Sequence, residues 1–322
     1  MKLLAAAHSL VAVTVLFASA SVLSQPYPTK PVRLVVGWPP GGAADGVARP
    51  LAIRLGEALS RPVVVENRPG ATGTIGANVV AKSPADGYTL LLGSSNELVL
   101  SPLAVMPYDP IEDFSPISMV IAFPSILAVH PSLPVKTVKE LIAFMHARPG
   151  KLNFATTGAG TSHLIGERFK ARAGVSFSYV AYKGGGPAIV DLIGGHVEAM
   201  FATLPSAVTY VRNGKLKGLM VTARTRSSAA PDVPAANEVG LPDILALTWN
   251  GVLAPRGTPP VILDRLQRDI ASVMGTQDMK ARMLAHAAEV TTNSREEFTK
   301  IIREDLAQWT QLIKATGSSP GT

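Results

Sequence analysis

Three glycine-rich turns stand where strand-like runs give way to helix-like ones: Trp38-Pro39-Pro40-Gly41-Gly42-Ala43-Ala44-Asp45, Thr156-Thr157-Gly158-Ala159-Gly160-Thr161-Ser162-His163 and Tyr182-Lys183-Gly184-Gly185-Gly186-Pro187. Glycine in such a turn leaves backbone N–H groups uncovered at a helix start, where the aligned peptide dipoles favour negative charge. The chemistry on offer is anion binding by amides, helped by Thr and Ser hydroxyls, and it requires no buried Lys or Arg. Each turn alone is equally well explained by backbone geometry, since glycine is the ordinary residue of a tight turn. Their placement at strand ends, where open α/β sheets hold ligands, gives the set functional weight.

Catalysis finds less support. There is no GxSxG elbow, GAGTSH lacks the last glycine of a dinucleotide fingerprint, and no GKT or GKS marks a nucleotide loop. His163 and Glu167 lie one helical turn apart, but two ligands without an HExxH do not make a metal site, and His163 serves equally as a hydrogen-bond donor. We expect no catalytic residue, no metal and no cofactor. Asp45 is expected to cap its helix, because a carboxylate facing an anionic ligand would repel it. Asp191, in the helix after the third turn, is expected as a capping or interlobe partner.

The elements that must position these turns follow from punctuation. Val32–Gly37 reads as a strand, Ala44–Leu59 as a helix, Pro62–Glu66 as a strand, Gly73–Lys82 as a helix and Tyr88–Gly93 as a strand, which is βαβαβ and implies a parallel sheet. Pro50 conflicts with a helix from Ala44, so the helix is expected to start late or bend. A second series begins near Ser125: strand Ser125–His130, a capping box at Thr137 and Glu140 opening a helix to His146, strand Leu152–Ala155, helix Ser162–Ala173, strand Phe177–Tyr182, helix Pro187–Ile193, strand His196–Ala202, a helix after Pro205 and strand Leu216–Thr222. Beyond these come a strand over Thr248–Ala254, a helix capped and started by Thr258-Pro259, and a second capping box at Ser294 and Glu297 before a last helix reaching Lys314. The fold class is α/β: two doubly wound α/β lobes around a cleft, with lobe I made of 25–123 plus 248–322, lobe II of 124–247, and interdomain crossings near Phe123 and Thr248. A ligand belongs in that cleft.

Residues 1–24 read as an export leader, with Lys2 as the charged start, an apolar run to Phe17 and small residues at Ala18-Ser19-Ala20. The run is short of the ~20 residues that a spanning helix needs. The expected cut lies within 20–25, and the expected location is the periplasm. No Cys occurs in 322 residues, which excludes disulfides, thiolate metal sites, a cysteine nucleophile and a cysteine-linked lipid anchor. The net charge of +7 is scattered, without a basic block or an aromatic-basic stripe, so it fits mild steering of a small anion rather than nucleic acid.

The strings VRLVVGWPPGGAADGVAR, VVVENRPGATGTIGANVVAKSPADGYTLLLGSSN, YDPIEDFSPIS, GAGTSHLIGERFK, YKGGGPAIVDLIGGHVEAMF, TARTRSSAAPDVPAANEVG and WNGVLAPRGTPP together resemble the Bug-type substrate-binding proteins of tripartite tricarboxylate transporters. The likeness covers essentially the whole chain after the leader. It implies a monomeric two-lobed clamp that captures a small carboxylate and delivers it to a membrane transporter of one small and one large multi-span subunit. A sensing role uses the same closure and stays open beside transport, and an enzyme acting on a small acid is the remoter alternative. In that family the first turn and the one near residue 158 hold a ligand carboxylate through backbone amides, hydroxyls and waters. The matching positions here are Gly41, Gly42 and Ala43 on one lobe and Thr157, Gly160, Thr161 and His163 on the other. Ser94, Ser95, Tyr182 and Thr203 complete the candidate set. Trp38 stands where the family more often has Phe or Tyr, and it either walls the pocket or is plain core.

Glu97 departs from relatives that carry small hydroxyl residues there, and Ser101 stands where Asn is common. Facing the cleft, Glu97 would pair with a cationic group and point to an amino acid or another zwitterion. Capping or flanking the helix before Pro102, it would leave specificity alone. The second reading is preferred, and with it a plain carboxylic acid as ligand.

Overall fold

A computed structural model describes residues 27–41, 43–100, 106–156, 161–182 and 185–316. The expected leader and its cut site, Gly42, Ser101, Thr157 and Gly160 lie outside the described residues.

The sheet begins with three parallel strands, β1 (Val32–Val36) flanked by β2 (Val63–Asn67) and β3 (Thr89–Ser94). The inner strands β1 and β3 are runs of Val and Leu, as strands covered on both faces require, whereas the edge strand β2 is only partly buried. Helix α1 (Ala43–Leu59) links β1 to β2, and α2 (Thr74–Ala81) links β2 to β3. Helix α1 runs through Pro50 instead of starting late. The carbonyl that the proline ring crowds belongs to Gly46, the residue type with the widest backbone freedom.

Strand β4 (Phe114–Val129) is 16 residues long and changes partners midway. Its first part pairs antiparallel with β9 (Leu247–Pro255) as far as Pro124 opposite Leu247. From Ser125 onward it pairs with β7 (Ala199–Thr203) and β8 (Lys217–Val221). The sequence reading began this strand at Ser125 and missed 114–124, where Pro116 and Pro124 argue against a strand. Beyond β7 lie β5 (Asn153–Thr156) and β6 (Ser178–Ala181), parallel to each other. The full order is β2-β1-β3-β9-β4-β7-β5-β6, with β8 and the short β10 (Glu289–Val290) also on β4.

Five further helices carry the second series and the return: α3 (Val138–Ala147), α4 (Thr161–Ala173), α5 (Gly185–Gly194), α6 (Leu204–Arg212) and α7 (Pro260–Met274). Helix α7 buries Leu263, Leu266, Ile270, Val273 and Met274, a 3–4 spacing that lays one stripe on α1 and β4. Burial of each such side chain stabilises by roughly 1.5–3 kcal/mol. Helix α8 (Gln277–Ala285) was not foreseen, because it presents only Met279 and Met283 to the core. Helix α9 (Arg295–Thr316) opens with the expected capping box: Glu297 N donates to Ser294 Oγ at 3.1 Å and Ser294 N to Glu297 Oε2 at 3.0 Å. Thr258, expected as a cap, instead donates its hydroxyl to Pro255 O at 2.8 Å, and Pro259 takes the cap position with no side-chain bond.

Where β4 changes partners, the buried Thr222 bridges it to the segment entering β9. Its Oγ1 accepts from Ser125 N at 2.9 Å and donates to Ala246 O at 2.7 Å. Among the described residues no helix is long and apolar enough to cross a membrane.

Candidate functional site

The C-terminal ends of β1 and β3 are neighbours in the sheet, so the turns that follow them meet. Trp38 and Gly41 come from the first turn, Asp45 from the opening of α1, and Ser94, Ser95 and Glu97 from the end of β3 and the turn at Asn96–Leu100. That turn is a single stretch of π-helical geometry, a form common at functional positions.

Asp45 braces the first turn from inside. Its residue lies in the first turn of α1, not at the cap position, and its carboxylate reaches back to accept Gly41 N at 2.9 Å. The same carboxylate accepts Arg49 Nε at 2.7 Å and Asn67 Nδ2 at 3.1 Å. The bond from Arg49, outweighing burial, holds the Asp45 carboxyl below its ordinary range, so it is ionised and fully engaged. Asn67 also donates to Trp38 O at 2.9 Å, stitching the turn to the end of β2. Arg49 and Asn67 were not among the candidate residues. The i,i+4 spacing of Asp45 and Arg49 was the available signal for the first, and the NRPG run after β2 for the second.

Glu97 is wholly buried, which overturns the surface reading and narrows the cap reading. Its Oε1 accepts Ser94 N at 2.8 Å, its Oε2 meets Ser94 Oγ, and the Trp38 side chain lies beside the same carboxyl. It thus closes the turn after β3 on itself and ties it to the first turn. Burial pushes the Glu97 carboxyl up to about 7 against the lowering effect of these donors. Gly73, at φ +91°, lies so close that a Cβ there would sit 3.1 Å from Glu97 Oε2. Tyr108 donates its hydroxyl to the Glu97 carbonyl at 2.6 Å. Trp38, half-buried, packs on the core cluster under β1, so its ring is core on one side while its side chain lies beside Glu97.

Asn250 on β9 faces Ser94 in register and is buried, with Nδ2 3.5 Å from Gly93 O. It too was absent from the sequence reading, because nothing in TWNGVL marks an asparagine at a strand centre.

The second set of candidates sits on the other part of the sheet. Thr161 and His163 occupy the first turn of α4, after β5; Tyr182 follows β6; Thr203 ends β7. Strands β5, β6 and β7 are neighbours and parallel, so these residues share one edge. Burial holds His163 below its ordinary range, hence neutral near pH 7, and its ring lies against Tyr179 with centroids 4.4 Å apart. Tyr182 donates its hydroxyl to Asp191 Oδ2 at 2.8 Å, and burial with that neighbour pushes the phenol up to about 12. Asp191, inside α5 and not at its cap, is therefore a partner of Tyr182. Thr203 Oγ1 donates to Ser206 Oγ at 3.0 Å.

Among the described residues the carboxyl groups of Asp45, Glu97 and Asp191 are thus engaged by internal donors, which leaves the surface of the strand ends without a free carboxylate from these three. Such a surface suits a small anion better than a cation. A groove of about 500 Å³ lined by Phe114, Arg256, Arg295, Thr299 and Arg303 lies elsewhere and shares no residue with either set.

Residues 47–318 match the family model described as tripartite tricarboxylate transporter family receptor. Protein BugT of Bordetella pertussis (strain Tohama I) is 38% identical over 304 residues, covering 93% of each chain. Among solved structures, R. palustris Rpa4515 with adipate is 34% identical at a TM-score of 0.80, over 91% of this chain and 99% of that one. MatC from Rhodopseudomonas palustris with bound malate is 29% identical at a TM-score of 0.75, over 89% of this chain and 100% of that one. These relatives are substrate-binding proteins, not enzymes, and the chain belongs to the tripartite tricarboxylate transporter receptor family.

Proposed function

We propose that this chain is an exported, periplasmic solute-binding protein that captures a small carboxylate in its cleft. It then delivers the acid to a tripartite membrane transporter of one small and one large multi-span subunit. Lobe I comprises 25–123 with 248–322 and lobe II 124–247. The ligand carboxylate lies between Trp38, Gly41, Gly42, Ala43, Ser94 and Ser95 on the first lobe and Thr157, Gly160, Thr161, His163, Tyr182 and Thr203 on the second. The observation that carries the reading is the bracing of the first turn: Asp45 and Glu97 are both committed to internal donors, so neither leaves a free carboxylate at the turn to repel an anion. Relatives of nearly full-length similarity that hold adipate and malate support the ligand class. With Glu97 wholly buried, the support favours a plain acid over a zwitterion.

Thermal unfolding with a panel of mono-, di- and tricarboxylates and amino acids tests this. A cognate acid at a hundredfold excess over Kd stabilises by about 2.7 kcal/mol. Stabilisation by sugars or metal ions and by no acid refutes the proposal.

A further inference from the structure

Glu97 has a geometry that the binding role alone does not explain. A carboxyl with no exposed surface normally has a cation beside it, because an uncompensated buried charge is costly. Among the described residues none of the ion pairs includes Glu97; its partners are Ser94, through hydroxyl and amide, and the Trp38 side chain beside it. Both partners belong to the proposed ligand surface. We propose that Glu97 is a proton-linked positioning residue of that surface: it carries a proton when an anionic ligand is bound and keeps Trp38 and Ser94 in place, whereas its ionised form opposes the ligand's charge.

The inference rests on the ligand surface proposed above. The surroundings support it on every side. The turn at Ala71–Gly73 and strand β3 bring no ionisable side chain against Glu97. Tyr108 is the titratable neighbour from the following segment, and burial, with the charge of Glu97, raises its phenol above the ordinary range, so it stays neutral. Helix α9 packs on the 96–100 turn and carries Asp305, whose Oδ2 accepts Trp249 Nε1 at 2.8 Å and whose carboxyl burial pushes up to about 6. From the first turn, Asp45 is ionised but neutralised by Arg49. The carboxyl whose burial holds it near 7 is therefore the group poised to change charge at neutral pH. An arriving carboxylate raises its proton affinity further, and by linkage a proton on Glu97 raises affinity for the carboxylate. Affinity is thus highest below pH 7 and falls as pH rises through the window above it.

Calorimetry with adipate at pH 6.5 and 8.5, each in two buffers of different ionisation heat, reads both Kd and the protons taken up. The expected result is a Kd roughly tenfold weaker at pH 8.5, with net proton uptake, both flattened in Glu97→Gln. Burial holds His163 below its ordinary range, toward the neutral form in this window. A pH-independent Kd without proton uptake, or an unchanged profile in Glu97→Gln, overturns the proposal. The wild-type measurement stands even where the variant folds poorly. Fluorescence of the ligand-free protein provides a separate arm: a tryptophan emission change centred near pH 7, absent in Glu97→Gln and in Trp38→Phe, is expected, and a flat titration refutes the role of Glu97. Failure of adipate and of malate to bind at either pH removes the carboxylate reading instead, and the fluorescence arm then decides the fate of Glu97 alone.

Discussion

Replacing Glu97 by Gln tests the energetics of the buried carboxyl through folding, without any ligand. The folded protein binds the Glu97 proton at about pH 7 against 4.5 for the ordinary side chain. A folded-state value raised in this way means that the protonated form stabilises the fold. That contribution is complete below pH 4.5 and is lost as pH rises through 7. Each pH unit of separation corresponds to about 1.4 kcal/mol, so the wild type forfeits about 3 kcal/mol between these limits. Gln has no proton to lose, and it retains an acceptor for Ser94 N, but its NH2 group cannot accept the bond that Ser94 Oγ gives to the carboxyl. That lost bond costs about 1 kcal/mol at all pH values. The variant is therefore expected to be about 1 kcal/mol less stable than wild type at pH 4.5 and about 2 kcal/mol more stable at pH 8, with the curves crossing between. Urea unfolding of both proteins at half-unit pH intervals measures this. A stability difference that does not change sign with pH, or a variant that is less stable at pH 8, refutes the assignment.

Asp45→Asn removes the ion pair with the half-exposed Arg49 and weakens the bond from Gly41, and it should cost about 1–2 kcal/mol in denaturant unfolding while leaving adipate affinity within a few-fold. Because the folded Asp45 carboxyl is held below 3.8, the wild-type advantage should be present above pH 3.8 and vanish as pH falls through the lower folded value. Gly76→Ala places a Cβ 2.8 Å from Gly37 Cα and 3.1 Å from Arg68 O, both backbone atoms, and should destabilise by about 2–3 kcal/mol as read from the urea midpoint. Thr222→Val leaves the buried Ser125 N–H without its acceptor and should cost about 1–3 kcal/mol, whereas Thr222→Ser should cost less than half as much.

Elements with a local signature were legible in the sequence. The capping box at Thr137 and Glu140 marked α3 because the same residues that stop the chain bond to each other: Glu140 N donates to Thr137 Oγ1 at 3.1 Å. Strands β1 and β3 stood out as apolar runs between turns. The first half of β4 did not, since its prolines at 116 and 124 read as breakers until β9 and its register shifts supply a setting that tolerates them. At the site, the first turn could be picked out by its glycines, but its bracing could not. Asp45 is held by Asn67 from a different strand, and Glu97 is buried by a turn of π-helical geometry that NELVL does not announce. Side-chain direction at both acids is a tertiary property, and so the sequence left their roles open.

The position of β9 governs when this protein can fold. It lies between β3 and β4 and hydrogen-bonds to both, yet it comes from residues 247–255, after the whole of the second series has been made. A chain emerging N-terminus first therefore has β1, β2 and β3 in hand while the strand that joins them to β4 is still missing, and the edges of both carry unpaired backbone groups. Closure waits on a contact of long sequence separation, which is slow because the intervening loop entropy is lost before the pairing rewards it. The order of strands builds a delay into the molecule, keeping it threadable until its last quarter arrives.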